Sequence, residues 1–315
     1  LRRSLGIYHT PDRLVDHVWQ RLDPQVWSQP ESGELLDPAA GTGAFLAGAL
    51  RAAAATRREG AERIAALDDV LHRMVGVEIT LASWLVGLLR IATTLQHLGH
   101  DLIPRRELRW WWSDATRTSP DDGCRIADLQ QQDFRWIVGN PPYSSRVERS
   151  HPRIERLLRG KVDGCGGAID YHRFRGEPLR ERKTWLHDLY VRFYRLSQWW
   201  TARSDRATVA FISNRGWLDH KTFRGMREAL AADFATIGID EPIAGENWFD
   251  VTTPICLTIL RRNRRPSAAA GALEVSIEQR RIRFPVESTN EEITESQAAI
   301  EIEQRITTPR EPWFE

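Results

Sequence analysis

Cysteine is scarce in this chain: three in 315 residues, Cys124, Cys165 and Cys256, odd in number and far apart. Such spacing excludes a disulfide framework and any zinc-ligand pairing, and it fits a reducing, cytoplasmic setting. The histidines do not supply a metal site either, because His97 and His100 sit on a helical pattern with no third ligand type beside them. No run approaches the ~20 apolar residues of a membrane-spanning helix, so no membrane partner is expected. The opening Leu1-Arg2-Arg3-Ser4-Leu5 lacks the apolar stretch of a signal peptide, and a chain without an initiating Met reads as trimmed or fragmentary. The small-residue turn at 41–43 is not followed by Gly-Lys-Ser/Thr, which excludes a P-loop. Leu46 stands where a dinucleotide fingerprint needs its third glycine.

What is present is the composition of an ordinary folded protein, 41% hydrophobic and 28% charged. The net charge of +1 is unevenly spread. Residues 266–315 hold ten Glu and five Arg, a net of −5, which leaves 39 basic and 33 acidic groups, a net of +6, in the first 265. Nearly all the basic residues are Arg; Lys161, Lys183 and Lys221 are the exceptions. Arginine suits phosphate recognition, and the balance permits a nucleic-acid partner without demanding one.

Four strands end in a polar side chain. Glu34-Leu35-Leu36-Asp37 runs into the turn Pro38-Ala39-Ala40-Gly41-Thr42-Gly43 and a helix, the ligand-binding edge of a doubly wound sheet. Met74-Val75-Gly76-Val77-Glu78 ends in an acid that can accept both hydroxyls of a ribose. Leu108-Arg109-Trp110-Trp111-Trp112 leads to Ser113-Asp114, and Phe134 to Gly139 leads to Asn140. In a parallel sheet these ends lie along one edge, so the recurrence points to one extended ligand site. Ahead of them, Thr10-Pro11-Asp12 reads as the N-cap and first turn of a helix whose apolar face is Leu14, Val15, Val18, Trp19 and Leu22, and its N-terminus is an anion site at which Thr10 could hold a carboxylate.

Helices are predicted over Ala47 to Ala66, Leu81 to Leu95, Thr184 to Arg203 and Leu218 to Ala232. The aromatics of the third (Trp185, Tyr190, Phe193, Tyr194, Trp199, Trp200) read as core. Further strands are expected at Ala207 to Ser213, Ala235 to Asp240 and Pro254 to Leu260, the last two as an antiparallel pair at the sheet edge. Residues 144–184 form a variable basic loop region with Arg146, Arg149, Arg153, Arg156, Arg159 and Lys161. A boundary falls near residue 265, giving a unit over 1–265 and a linker with an acidic segment over 266–315, which holds one strand-like stretch at Leu273 to Ile277.

In Asn140-Pro141-Pro142-Tyr143 the two prolines fix successive φ angles and supply no N–H, so Asn140 is held extended in an acceptor-rich turn beside an aromatic ring. Such a turn suits a flat substrate bearing an amino group. A polyproline ligand for a partner is the other reading of these four residues alone.

Taken in order, Thr10-Pro11, Asp37-Pro38-Ala39-Ala40-Gly41-Thr42-Gly43-Ala44-Phe45, Glu78, Asp114 and Asn140-Pro141-Pro142-Tyr143 resemble the S-adenosylmethionine-dependent DNA adenine methyltransferases of the gamma group. The resemblance covers roughly residues 5–262. It is strongest to the methylase region of single-polypeptide type I enzymes, where stretches like Leu218-Asp219-His220-Lys221-Thr222-Phe223-Arg224-Gly225-Met226-Arg227 occur. It implies a Rossmann-like α/β fold: a doubly wound, mostly parallel seven-stranded sheet with an antiparallel edge strand. It implies S-adenosylmethionine as cofactor, with its carboxylate on Thr10, its methionine half along Asp37, Ala39, Gly41 and Gly43, its ribose on Glu78 and its adenine on Asp114. Asn140, Pro141, Pro142 and Tyr143 would form the catalytic turn, with Phe249 packing on the target base; Trp248 stands where a small apolar neighbour is usual. The expected reaction is N6-methylation of a flipped adenine in DNA, as part of a restriction-modification or phage-defence system. N4-cytosine, ribosomal RNA or protein-glutamine methylation, and a catalytically silent DNA-binding subunit, stay open as alternatives. Residues 266–315 are too short for a sequence-reading domain, which would lie on a separate specificity or restriction subunit or in a part of the chain lost by truncation.

Overall fold

The computed structural model of the chain describes residues 10–22, 33–57, 60–101, 108–116, 129, 132, 134–143, 152–161, 169–181, 184–243, 248–249, 253–262, 276–283 and 301–308. Among the described residues the first elements are α1 (Asp12–Arg21), β1 (Glu34–Asp37), α2 (Ala44–Ala55), α3 (Ala61–Arg73), β2 (Met74–Glu78), α4 (Leu81–His97), β3 (Arg109–Trp112) and β4 (Phe134–Gly139). Next come α5 (Pro152–Leu158), a small hairpin (Arg173–Phe174 with Glu177–Pro178), α6 (Leu189–Trp200), β5 (Ala207–Asn214) and α7 (Arg224–Asp233). The last four elements are β6 (Thr236–Pro242), β7 (Ile255–Arg262), β8 (Ser276–Arg283) and β9 (Glu301–Thr308).

These strands form one sheet in the order β9-β8-β6-β7-β5-β4-β1-β2-β3. The run β3-β2-β1-β4-β5 is parallel throughout, and chain order reverses between β1 and β4. That reversal is the topological switch point, where a crevice opens outside the strand C-termini. Alternation along β1 shows the doubly wound build: Leu35 faces the core shared with α1 to α4, and Leu36 the opposite core under α6 and α7.

The seven strands from β3 to β6 are the expected core, and two more extend it. β8 pairs parallel with β6, and β9 pairs antiparallel with β8. The antiparallel strand β7 lies between β5 and β6, three places in from the β9 margin. Its sequence requires that position: Ile255, Cys256, Leu257, Ile259 and Leu260 are buried on both faces, and an edge strand would expose them.

Two predicted helices are divided. Gly60, at φ 93°, separates α2 from α3 inside the Ala47–Ala66 stretch. A 3₁₀ turn (Thr184–His187) precedes α6. Within that stretch Tyr190, Phe193, Tyr194, Trp199 and Trp200 are core, whereas Trp185 is 48% exposed.

Trp110 of edge strand β3 locks the β1–β3 half. Its indole Nε1 donates to Trp84 O at 2.9 Å, and Trp84 Nε1 donates back to Trp110 O at 3.2 Å. The ring fills a slot that glycines leave open, because a Cβ on Gly76 would stand 2.3 Å from it and one on Gly87 2.2 Å. Alanine favours a helix over glycine by about 1 kcal/mol. At Gly87 the rigid indole outweighs that gain, so Gly87→Ala is expected to destabilise the fold by about 1–3 kcal/mol. A denaturation midpoint at or above wild type would contradict this packing, and Trp110→Phe in the same chain should recover part of the loss.

Candidate active site

The turn after β1 brings the first side chains together. Asp37 is fully buried at the strand end, and its Oδ1 accepts the Ala39 N–H at 3.2 Å. Its Oδ2 is buried with no donor. Burial pushes the Asp37 carboxyl up to about 8; the Ala39 N–H pulls against that shift and the nearby Glu78 charge adds to it. Gly41 and Gly43 hold φ of 55° and 75°, left-handed values that glycine adopts without strain. The loop is tied down by Ala40 N–H to Val77 O at 2.9 Å and Gly43 N–H to Ala40 O at 2.8 Å. α2 then starts at Ala44, directly behind the left-handed Gly43.

Glu78 closes the loop from β2. Its Oε2 accepts the Gly41 N–H at 2.9 Å and its Oε1 the Thr80 N–H at 2.7 Å. Each carboxylate oxygen holds a second lone pair, so these bonds orient Glu78 without exhausting it. The Ser113 N–H donates to Glu78 O at 2.9 Å, which joins the end of β3 to the end of β2. Asp114 follows, its Oδ1 accepting both the N–H and the hydroxyl of Thr116, at 2.8 and 2.6 Å.

On the other side of the switch point, β4 delivers Asn140. Gly139 lies against Asp37: a Cβ there would stand 2.8 Å from Asp37 Oδ1, so a larger residue would push the two strand ends apart. The Asn140 carboxamide is held at both ends. Its Nδ2 donates to Thr10 Oγ1 at 3.1 Å, and its Oδ1 accepts the Tyr143 hydroxyl at 2.7 Å. Pro141 and Tyr143 are buried, and Tyr143 packs in the same core cluster as Trp248 and Phe249. Both rings of the Trp248-Phe249 pair are buried, at 3% and 7% exposure, so the pair enters this cluster together.

The Thr10 contact differs from the sequence expectation in one respect. Pro11 occupies the N-cap of α1, and no side chain caps that helix end. Thr10, 4% exposed, turns its hydroxyl to Asn140. α1 is fixed beneath it from two directions. Trp19 Nε1 donates to Phe45 O at 2.9 Å, and α2 approaches so closely at Gly48 that a Cβ there would stand 2.4 Å from Val15. His17 Nε2 and Arg21 Nε each reach Asp240 Oδ2 of β6 at 2.9 Å. Burial opposes ionisation of Asp240, yet the His17 hydrogen bond and the Arg21 charge hold it below the ordinary carboxylate range.

The fold therefore gathers Thr10, Asp37, Ala39, Gly41, Gly43, Glu78, Asp114 and Asn140 to Tyr143 along one edge, with Phe249 in the cluster behind Tyr143. Sequence reasoning missed the Thr10–Asn140 bond, which spans 130 positions, and the slot around Trp110. A lone glycine inside a helical run, Gly87, is the signal for that slot. Among the described residues no three His, Cys, Asp or Glu side chains are grouped to hold a metal ion, and no helix is long and apolar enough to cross a membrane.

Solved structures share this architecture. The ATP-dependent Type ISP restriction-modification enzyme LlaBIII, bound to DNA, superposes with a TM-score of 0.65 at 21% identity, over 87% of this chain and 20% of that one. The DrdV–DNA complex gives 0.66 at 21% identity, over 88% and 28%. A Listeria monocytogenes protein assigned to the class I S-adenosylmethionine-dependent methyltransferases gives 0.51 at 14%, over 86% and 65%. The chain thus spans between a fifth and a third of the length of the first two, and at these identities the likeness is one of fold. No curated protein matches the chain significantly in sequence. The family model described as N-6 DNA Methylase matches residues 2–162, about half of the chain and the part that carries Thr10, the glycine turn, Glu78, Asp114 and Asn140 to Tyr143. By that match, the chain belongs to the N-6 DNA methylase family.

Proposed function

We propose that this chain transfers the methyl group of S-adenosylmethionine to the exocyclic N6 of an adenine flipped out of DNA, as the modification part of a restriction-modification system. One observation carries the reading: at the switch point the strand that delivers Asn140 packs, through the preceding Gly139, against the buried Asp37 carboxyl with its unsatisfied Oδ2 on the neighbouring strand. The residues present fit the cofactor. Asp37 Oδ2 lacks the donor that an ammonium group would supply. Asn140, Asp37, Glu78 and Asp114 end four adjacent strands, β4-β1-β2-β3, a row about 14 Å long at ordinary strand spacing. That order supports a reading with the methionine half on Asp37 and the glycine turn, the ribose on Glu78, the adenine on Asp114 and the carboxylate on Thr10.

When bound, the cofactor supplies an electrophilic methyl on a sulfonium. Asn140 and the Pro141 carbonyl would accept the two N–H hydrogens of the target amine. This favours a pyramidal nitrogen, frees its lone pair and stabilises the charge that develops on it. Tyr143 and Phe249 would hold the extruded ring by stacking, at about 1–3 kcal/mol per ring. We assign catalysis to residues 1–265, with 266–315 as an appended segment, DNA as the macromolecular partner and a separate specificity or restriction subunit as a further one.

Nucleoside analysis of DNA from a methylation-free host expressing the chain tests this. N6-methyladenine is the expected product. N4-methylcytosine would keep the chemistry and replace the base; no modified base together with no cofactor binding would remove the reading.

A further inference from the structure

The two ends of an asparagine carboxamide are nearly isosteric, so its partners alone decide which end faces a substrate. A target amine is a donor and needs the oxygen. In this structure the Asn140 nitrogen is taken up by Thr10 Oγ1 at 3.1 Å, which leaves the oxygen on the opposite side, where the Tyr143 hydroxyl meets it at 2.7 Å. Thr10 is buried, and α1 behind it is anchored to α2 and β6, so its hydroxyl is a fixed reference point rather than a mobile surface group.

A threonine hydroxyl has one proton to give. If that proton points to Asn140, the carboxamide turns its oxygen towards Thr10 and offers the substrate its NH₂, the wrong end. If the proton is engaged by an anion, the Thr10 oxygen can only accept, and the carboxamide is locked with its oxygen outward. We infer that Thr10 is a positioning residue that couples cofactor binding to the orientation of Asn140: the cofactor carboxylate accepts the Thr10 hydroxyl proton as a hydrogen bond, and the catalytic acceptor is locked in the orientation seen here as a consequence. The inference rests on the functional reading above. It adds that cofactor locks the orientation of the amine acceptor seen here, which the unliganded protein can leave when the Thr10 proton turns to Asn140, and by linkage that the target base and the cofactor each favour the other's binding.

The experiment compares wild type with Thr10→Val, which keeps the shape and removes the hydroxyl, and Thr10→Ser, which keeps the hydroxyl. Without any turnover, the Asn140 side-chain amide resonances of the ¹⁵N-asparagine-labelled unliganded protein are recorded; the chain has five asparagines, and Asn140→Asp identifies the signal. They should shift in Thr10→Val and stay in place in Thr10→Ser. At saturating cofactor and DNA, Thr10→Val should lose roughly tenfold or more in kcat, and Thr10→Ser should retain most of it. Wild type supplied with decarboxylated S-adenosylmethionine should show a kcat loss like that of Thr10→Val, which keeps the test open if the valine variant folds poorly. Unmoved Asn140 resonances, or a Thr10→Val that raises only the KM for cofactor at intact kcat, would overturn the coupling and reduce Thr10 to a carboxylate ligand. A wild type that methylates nothing would retire the functional reading instead, with the resonances still reporting on the Thr10–Asn140 bond.

Discussion

Asn140→Ala is expected to cut methyl transfer by two to three orders of magnitude while leaving cofactor affinity close to wild type, the size of loss seen when one preorganised hydrogen-bonding group is removed from a transition state. The split follows from position. Asn140 ends β4 beyond the contact between Gly139 and Asp37, and the cofactor-side carboxylates Asp37 and Glu78 take their backbone donors from Ala39, Gly41 and Thr80, none of which touches the Asn140 side chain. Truncation also strips partners from Thr10 and Tyr143, both buried, so a small loss of stability accompanies the loss of rate. Single-turnover methyl transfer beside calorimetric titration of the cofactor separates the two effects. Normal turnover in the variant would remove Asn140 from the mechanism, whereas loss of binding at the same scale as the loss of rate would move it into the cofactor site.

The edge of the sheet was legible because four strands each end in a polar side chain. Asp37, Glu78, Asp114 and Asn140 follow short apolar runs, and a parallel sheet necessarily aligns such ends. Thr10 lies beside Asn140, and its hydroxyl does not cap α1 as the sequence suggests. A threonine before Pro-Asp has the composition of a helix cap, and only the tertiary approach of β4 diverts its hydroxyl. The sheet beyond β6 was less legible. The strand-like stretch read at Leu273 to Ile277 is shorter than the strand Ser276–Arg283, whose three arginines and glutamate mask it; Ile277 and Ile282 are buried, and their odd spacing sends them to opposite faces of the sheet, Ile277 to the core under α6 and α7 and Ile282 to the core shared with α1 to α4. The inward place of β7 was present in its apolar run, interrupted by Thr258 alone between Ile255 and Leu260, which signals burial on both faces more strongly than its short connection signals an edge. The Trp110 slot depends on glycines from two separate elements and on a ring from a third, so no local pattern contains it.

Asp37→Asn is expected to act in opposite directions on stability and on binding. The wild-type carboxyl is fully buried with one oxygen unsatisfied, and its folded value of about 8 lies above the ordinary 3.8. Below pH 3.8 it is protonated in both the folded and the unfolded chain and costs nothing. Between 3.8 and about 8 the unfolded chain ionises while the folded one resists, so the unliganded protein loses stability by up to about 1.4 kcal/mol per pH unit, and the loss is complete above that range. Asparagine has no such slope. The variant should therefore be more stable than wild type at pH 7, by an amount on the order of a few kcal/mol, and the advantage should shrink as pH falls to 4. Cofactor reverses the sign. An ammonium group beside Oδ2 favours the ionised carboxylate, so binding expels the proton and wild-type affinity should climb as pH rises towards 8. Asparagine cannot pair with that cation, and affinity should fall roughly 10- to 100-fold, the worth of one charged hydrogen bond. Thermal melts from pH 5 to 9, with and without cofactor, read both effects. A variant no more stable than wild type at pH 8 would mean that the buried carboxylate is already compensated, and an unchanged cofactor affinity would place the ammonium elsewhere.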